Sequence, residues 1–140
     1  MFNLTAWKLS SALLIVLKCS LVMTDVIVIQ SPQPNSTLVP GSTIPLSYRV
    51  SYQDISLLRN VTVELQDANG IVIQRNIDTS TRPAGEGLWV RNISWIVPTD
   101  LPQGLNYLRA YGDASYHAMP DWKIQWVVRE AKTPLIVDSL

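Results

Sequence analysis

The chain has 140 residues, of which 47% are hydrophobic and 16% are charged, and its formal net charge is zero. This length suits a single domain, and the hydrophobic fraction excludes a disordered chain, which combines low hydrophobicity with high net charge. The balance of 11 basic and 11 acidic residues argues against a nucleic-acid-binding protein. One Cys and one His exclude a disulfide framework and argue against most metal hydrolases, so we expect no metal and no cofactor.

Residues 1–24 have the order of a cleaved secretory signal peptide: a basic residue, a short apolar run and then small residues. Cleavage could follow Cys19, Ser20 or Thr24, and the sequence does not distinguish these positions. The alternative is an uncleaved anchor, which requires about 20 mostly apolar residues, whereas the uninterrupted run covers residues 12–17. We therefore expect a secreted protein, extracellular or in a cell wall, with no stable membrane anchor.

Three acceptor triplets for N-linked glycans support the secretory route. Asn35, Asn60 and Asn92 each begin an Asn-x-Ser/Thr triplet without Pro in the middle. Such triplets also occur by chance, so their value depends on the signal peptide. We predict glycosylation at these three positions.

The rest of the chain is predicted to consist of strands. Short runs alternate between apolar and polar residues, as half-buried strands do, and turn residues separate them. The predicted strands are Asp25–Gln30, Thr43–Tyr52, Arg59–Gln66, Ile71–Ile77, Leu88–Val97, Leu105–Tyr111 and Trp122–Arg129. The prediction is an all-β fold, an antiparallel immunoglobulin- or fibronectin-III-like β-sandwich of about seven strands over residues 25–130. Residues 131–140 are predicted to be a C-terminal tail.

Four tryptophans are candidates for the core. Trp89 and Trp95 share one face of their strand, and Trp122 and Trp126 share one face of the last strand. This spacing favours inward-facing side chains over an exposed ligand surface. Arg91 lies on the same face as the first pair and is an exception, explained by an ion pair, by a side chain that reaches solvent or by a bulge.

Three segments in order carry a family resemblance. Ile29–Tyr48 contains Ser-Pro, a Gly-Ser-Thr turn and an alternating strand; Val61–Gln66 is a second alternating strand; Trp95–Ala110 contains Trp-x-x-Pro and an acidic-Leu-x-x-Gly turn. Together they resemble the N-terminal immunoglobulin-like domain of fungal cell-wall proteins of the Kre/Knh type, relatives of Ser/Thr-rich GPI-anchored wall proteins. The resemblance covers about residues 26–129. It implies a secreted β-sandwich at the fungal surface with a link to β-1,6-glucan assembly.

The resemblance brings no catalytic residues to this chain. We therefore predict a non-enzymatic module of the fungal cell wall or surface, whose partner is a wall polysaccharide or a wall or surface protein. A second hypothesis is a small secreted effector that binds a partner protein through its end loops.

Residues 112–121 are predicted to form the longest loop that carries unusual residue types, and loops at the end of a sandwich commonly bind ligands. Aromatic and imidazole rings near this loop provide contact area for a ligand. Tyr116, His117 and Trp122 are therefore the candidate ligand-binding residues.

The same loop also carries residue types used in catalysis, and a glucan-modifying hydrolase is the third hypothesis. Ser115, His117 and Asp113 could form a nucleophilic set. His117, Asp113 and Asp121 could instead bind a metal ion. Nucleophilic catalysis needs a geometry that this spacing does not indicate, and the spacing is not that of a metal site. We predict no catalytic residues and no metal ligands.

Overall fold

The computed structural model of the chain describes residues 25–52, 56–85 and 87–138, and the predicted signal peptide lies outside these ranges. The described residues form nine strands and no helix. The strands are β1 (Val26–Ser31), β2 (Ser36–Leu38), β3 (Thr43–Ser51), β4 (Ser56–Leu58), β5 (Asn60–Asp67), β6 (Val72–Thr81), β7 (Trp89–Ile96), β8 (Gly104–Ala118) and β9 (Lys123–Val137). Within these ranges, no helix is present that could cross a membrane.

The strands form two sheets in a sandwich-like arrangement. The smaller sheet has three antiparallel strands in the order β1-β3-β7. The larger sheet has the order β2-β9-β8-β5-β6, with β4 as a sixth strand that also pairs with β8. Its pairs are antiparallel except β2 with β9, which is parallel. The predicted all-β sandwich is confirmed at this level, whereas its immunoglobulin or fibronectin-III type stays a prediction.

All seven predicted strands are present, and β2 and β4, each of three residues, are additional. The predicted loop at residues 112–121 is wrong, because β8 continues to Ala118 and pairs residue by residue with β9. The predicted tail at residues 131–140 differs too, because β9 runs to Val137. Leu135 and Val137 are buried in the core, so their burial fixes this segment in the sheet.

The core lies between the two sheets and has contributions from both. Trp89 and Trp95 are each 2% exposed, which confirms the first predicted pair. Buried side chains of this size each remove about 150–250 Å² from water. The facing larger sheet contributes Val61, Val63, Leu65, Leu108, Ala110, Ala114, Leu135 and Val137.

A buried polar network joins the sheets at the side where β6 faces β7. Tyr48 Oη donates to Asp78 Oδ2 at 2.7 Å and lies 2.7 Å from Ser80 Oγ. Trp89 Nε1 donates to Ser80 Oγ at 3.0 Å. Arg91 donates from Nε and Nη2 to the two oxygens of Asp78, at 3.0 and 2.7 Å. Of the explanations considered for Arg91, the ion pair is therefore the one observed.

The network has clear electrostatic consequences for its members. Burial opposes ionisation of Asp78, but the hydrogen bonds from Arg91 and Tyr48 outweigh it and hold the pKa of Asp78 below its ordinary value. The hydrogen bonds to Asp78 and its charge raise the pKa of Arg91. Burial raises the pKa of Tyr48. The ion pair is thus charged at neutral pH and ties β6 to β3 and β7.

Along one edge, β8 changes its partner strand. Residues 106–111 pair with β5, and residues 114–116 pair with β4. Gly112 lies between these stretches, and a Cβ atom there would overlap the carbonyl oxygen of Asn60. A glycine therefore permits the close approach at the point where β4 has ended and β5 begins.

Candidate functional site

The outer face of the larger sheet, which points away from the core, has two chemically different halves. Successive even-numbered residues of β9 lie on this face. The half in which β8 pairs with β5 is called the polar half. Its residues are Glu64, Gln66, Tyr107, Arg109, Tyr111, Glu130 and Lys132. We call the second half the apolar patch, and it comprises Leu57, Trp122, Ile124, Trp126 and Val128.

In the polar half, charged groups bind one another within the chain. Arg109 donates to Glu130 Oε2 at 2.6 Å and to Glu64 Oε1 at 3.1 Å. Its guanidinium carbon lies 4.2 Å from the ring centroid of Tyr111, a cation–π distance. Burial lowers the pKa of Arg109, but the two carboxylates outweigh burial and raise it. The charges of this half are therefore largely compensated.

In the apolar patch, large side chains face solvent. Trp126 is 62% exposed, Ile124 57% and Val128 52%, and Trp122 at the turn is 64% exposed. Leu57 of β4, 43% exposed, lies across β8 in line with Trp126. A contiguous exposed group of this kind marks an interaction site more often than a scattered apolar residue does.

The prediction that Trp122 and Trp126 belong to the core is wrong. Alternation shows which residues share a face but not which face is buried. In β9 the odd-numbered residues face the core, with Val127 half-buried and Thr133 and Leu135 buried. The even-numbered aromatic residues must then point outward.

The structure brings two of the three predicted ligand-binding residues together. The rings of His117 and Trp122 lie 6.5 Å apart at the hairpin tip, and His117 lies across from Ile124. Tyr116 lies on the opposite face, half-buried and across from Gln125. Trp122 has φ 55°, a backbone conformation uncommon for a bulky residue.

The residue types of a hydrolase share a face without forming a catalytic arrangement. Asp113, Ser115 and His117 alternate along β8, and Ser115 is 6% exposed. Among the described residues, no hydrogen bond joins Ser115 to His117, and Asp121 instead pairs with Lys123 at 2.9 Å. In the part of the chain that the structure describes, no group of three or more His, Cys, Asp or Glu side chains could hold a metal ion.

The three predicted glycosylation residues differ in accessibility. Asn35 and Asn92 are exposed, at a turn and on β7. Asn60 is half-buried, and its Oδ1 accepts a hydrogen bond from the backbone N–H of Asp113 at 3.3 Å. Glycosylation stays a prediction at all three, and at Asn60 a glycan on Nδ2 would leave Oδ1 able to accept this bond.

A second candidate site is a cavity of about 420 Å³ between β6 and β7. Ser80 and Arg91 line it, and exposed Leu88 lies at its rim. Ser80 and Arg91 already form hydrogen bonds within the buried network. The cavity therefore provides fewer free polar groups for a ligand, and the apolar patch is the stronger candidate.

The strand that carries most of the apolar patch also has a free edge. β2 pairs with residues 135–137, and Asn35 donates from its backbone N–H to the carbonyl of Pro134 at 2.7 Å. From Lys123 to Thr133, the edge of β9 away from β8 pairs with no other strand of the described residues. The Nε of Arg129, within this stretch, is buried without a hydrogen-bond acceptor in the same ranges.

The comparisons define the class of fold and no family. No family model and no curated protein matches the chain. A solved structure, the superoxide reductase (neelaredoxin) from Ignicoccus hospitalis T24K, is similar with a TM-score of 0.50 and 8% sequence identity. The match covers 84% of this chain and 83% of that chain. At this identity the similarity concerns the β-sheet fold alone.

This comparison contradicts the predicted function. The solved structure that the chain resembles is a superoxide reductase and not a wall protein. The prediction of a fungal wall module with a link to β-1,6-glucan assembly is therefore wrong. Its sequence basis was a set of turn and strand motifs, which many all-β proteins share because turns and half-buried strands use few residue types.

Proposed function

We propose that the chain is a protein-binding β-sheet module that accepts an extended segment of another protein chain along the free edge of β9. The observation that carries this proposal is that the free edge and the apolar patch coincide on residues 123–133 of one strand. An added strand would find both backbone groups and apolar side chains there.

Backbone pairing and side-chain burial would contribute together. An extended segment forms ladder hydrogen bonds with an exposed edge, and its alternate side chains contact those of the edge strand. Across such a pair the Cβ atoms lie about 4.5–5.5 Å apart. Apolar side chains of the segment would therefore lie beside Ile124, Trp126 and Val128, each more than half exposed, and would remove part of their surface from water. Full burial of such a side chain stabilises by roughly 1.5–3 kcal/mol, so this partial burial contributes less for each residue.

The free edge also carries more positive than negative charge. Lys123, Arg129 and Lys132 lie on residues 123–133, and the single anion there, Glu130, is bound to Arg109. A segment that places no basic residue directly opposite these cations fits this edge better than one that does.

The test uses a synthetic peptide of residues 121–131 (DWKIQWVVREA), capped at both ends and fluorescently labelled, as the probe strand. We expect saturable binding to the full chain in fluorescence anisotropy. Trp126→Lys in the protein places a charge beside the edge, as natural edge strands do to prevent pairing, and should weaken binding about tenfold or more.

The matched control is Ile96→Lys, since Ile96 is 67% exposed on β7 of the other sheet. It should bind the peptide as the unmodified chain does. A peptide with Gln125→Pro and Val128→Pro, which lacks two donors on opposite edges, should not bind. Equal binding by all variants, or no binding by the unmodified chain, would overturn the proposal.

A further inference from the structure

We infer that the segment added to β9 is the β9 strand of a second copy of this chain, antiparallel to the first about a two-fold axis through Val127. This inference rests on the proposed function and names its partner. Two-fold interfaces bring the same surface of both protomers together. A strand with one free edge and one apolar face can therefore form the interface in both protomers.

The axis through Val127 gives favourable neighbours on the outer face. Trp126 of each copy lies opposite Val128 of the other, so the pair occurs twice. Aromatic and β-branched residues across from each other are among the stabilising cross-strand pairs. The two larger sheets then form one continuous sheet, and the exposed Trp126 rings gain neighbours on the partner strand.

Neighbouring registers are less favourable. An axis through Trp126 would place Lys123 opposite Arg129, and like charges directly opposite are destabilising. An axis through Val128 would place the Trp126 ring opposite Glu130, whose carboxylate is already held by Arg109 at 2.6 Å. The axis through Val127 avoids the pair of cations and places the smaller Ile124, instead of Trp126, opposite Glu130.

Charge and hydrogen bonding agree with pairing of identical chains. With the axis through Val127, Arg129 lies opposite Gln125, whose amide oxygen can accept from the guanidinium. This register also keeps the cations of the two edges apart: Lys123 lies opposite Ala131 and Arg129 opposite Gln125, so neither faces another cation directly.

The test is disulfide crosslinking in a Cys19→Ser background, where only introduced thiols react. Trp126→Cys and Val128→Cys proteins are prepared separately, one with a size tag, and mixed under mild oxidation. Opposite residues have Cβ atoms close enough for a disulfide, whereas diagonal neighbours lie about 7–8 Å apart. We expect the mixed disulfide dimer to exceed either self-linked dimer severalfold.

Self-linked Trp126→Cys or Val128→Cys dimers in excess would overturn the register through Val127. Sedimentation velocity of the unmodified chain supplies the independent measurement. We expect a concentration-dependent dimer, weakened about tenfold or more by Trp126→Lys and unchanged by Ile96→Lys. If the chain stays monomeric while the probe peptide binds to β9, the second-copy inference fails and the proposed function stands.

Discussion

The polar half and the apolar patch lie on the same face of the larger sheet, yet only in the polar half do the side chains bind one another within the chain. Glu130 finds Arg109 on the neighbouring strand, and Arg109 finds Glu64 on the next. Trp126, four residues before Glu130 on the same face of β9, faces solvent over most of its surface. The difference follows the partner of β8: β5 supplies buried polar groups, whereas three-residue β4 supplies only Leu57 to the outer face. Side chains that bind one another within the chain stabilise the fold, whereas exposed apolar side chains are available for binding a partner.

The largest test of this difference compares two tryptophans. Trp95→Ala should lower the free energy of unfolding by about 3–5 kcal/mol, because it opens a cavity between the sheets. It also removes the hydrogen bond from Trp95 Nε1 to Gln74. At protein concentrations where the chain is monomeric, Trp126→Ala should change it by about 0.5 kcal/mol or less, as surface substitutions do. Urea denaturation of both variants measures the difference, and similar losses would mean that Trp126 is part of the core.

The two tryptophans also show what the sequence could and could not predict. Alternation placed Trp95 on a buried face correctly, because bulky residues fill that face of β7 throughout. The same reasoning failed for Trp126, since the core side of β9 carries smaller or more polar residues, such as Val127 and Thr133. Which face is buried depends on the opposing sheet, and no local pattern contains that information.

The hairpin tip was similarly beyond local prediction. Polar residues at Asp113, Ser115 and His117 indicated a loop, but they are the outer face of a strand whose inner residues include buried Ala114. Small inner residues and polar outer residues give weak strand signals. The proximity of His117 and Trp122 follows from the β8–β9 hairpin, in which Ala118 pairs with Lys123 and residues 119–122 form the turn.

A second prediction concerns the residue at the boundary between the two halves. Gly112→Ala should destabilise the chain by about 1–3 kcal/mol, because its Cβ would overlap the Asn60 carbonyl and force the strands apart. Gly87→Ala is the control, since its Cβ would make only ordinary contacts with Pro83. Thermal unfolding of both measures the effect. If Gly112→Ala left the unfolding temperature unchanged, β5 and β4 could shift without a loss of stability.

A third prediction uses pH to separate the buried network from the surface. The folded pKa of Asp78 is lowered, so its contribution to stability is complete above the unfolded pKa of about 3.9. It is lost as the pH falls through the folded value. Asp78→Asn should lower stability by about 1–3 kcal/mol at neutral pH and should flatten the acid-side decline. Urea denaturation from neutral to acidic pH measures both, and parallel declines would assign the acid sensitivity to other carboxylates.

The smallest expected effect compares the two carboxylates that Arg109 binds. Glu64 is 4% exposed and also accepts from Gln66 at 2.8 Å, so Glu64→Gln should destabilise by about 1–3 kcal/mol, the penalty for an impaired buried hydrogen-bond group. The side chain of Glu130 is 47% exposed, and Glu130→Gln should cost about 0.2–1 kcal/mol, as exposed ion pairs do.

Added salt sharpens this comparison, because it screens exposed charges more than buried ones. The small loss in Glu130→Gln should shrink in denaturation experiments at high salt, whereas the loss in Glu64→Gln should persist. If both losses shrink alike, Arg109 acts as a surface charge toward both carboxylates. The polar half would then be an ordinary solvated surface. It would differ from the apolar patch in its residue types and not in hydrogen bonds formed within the chain.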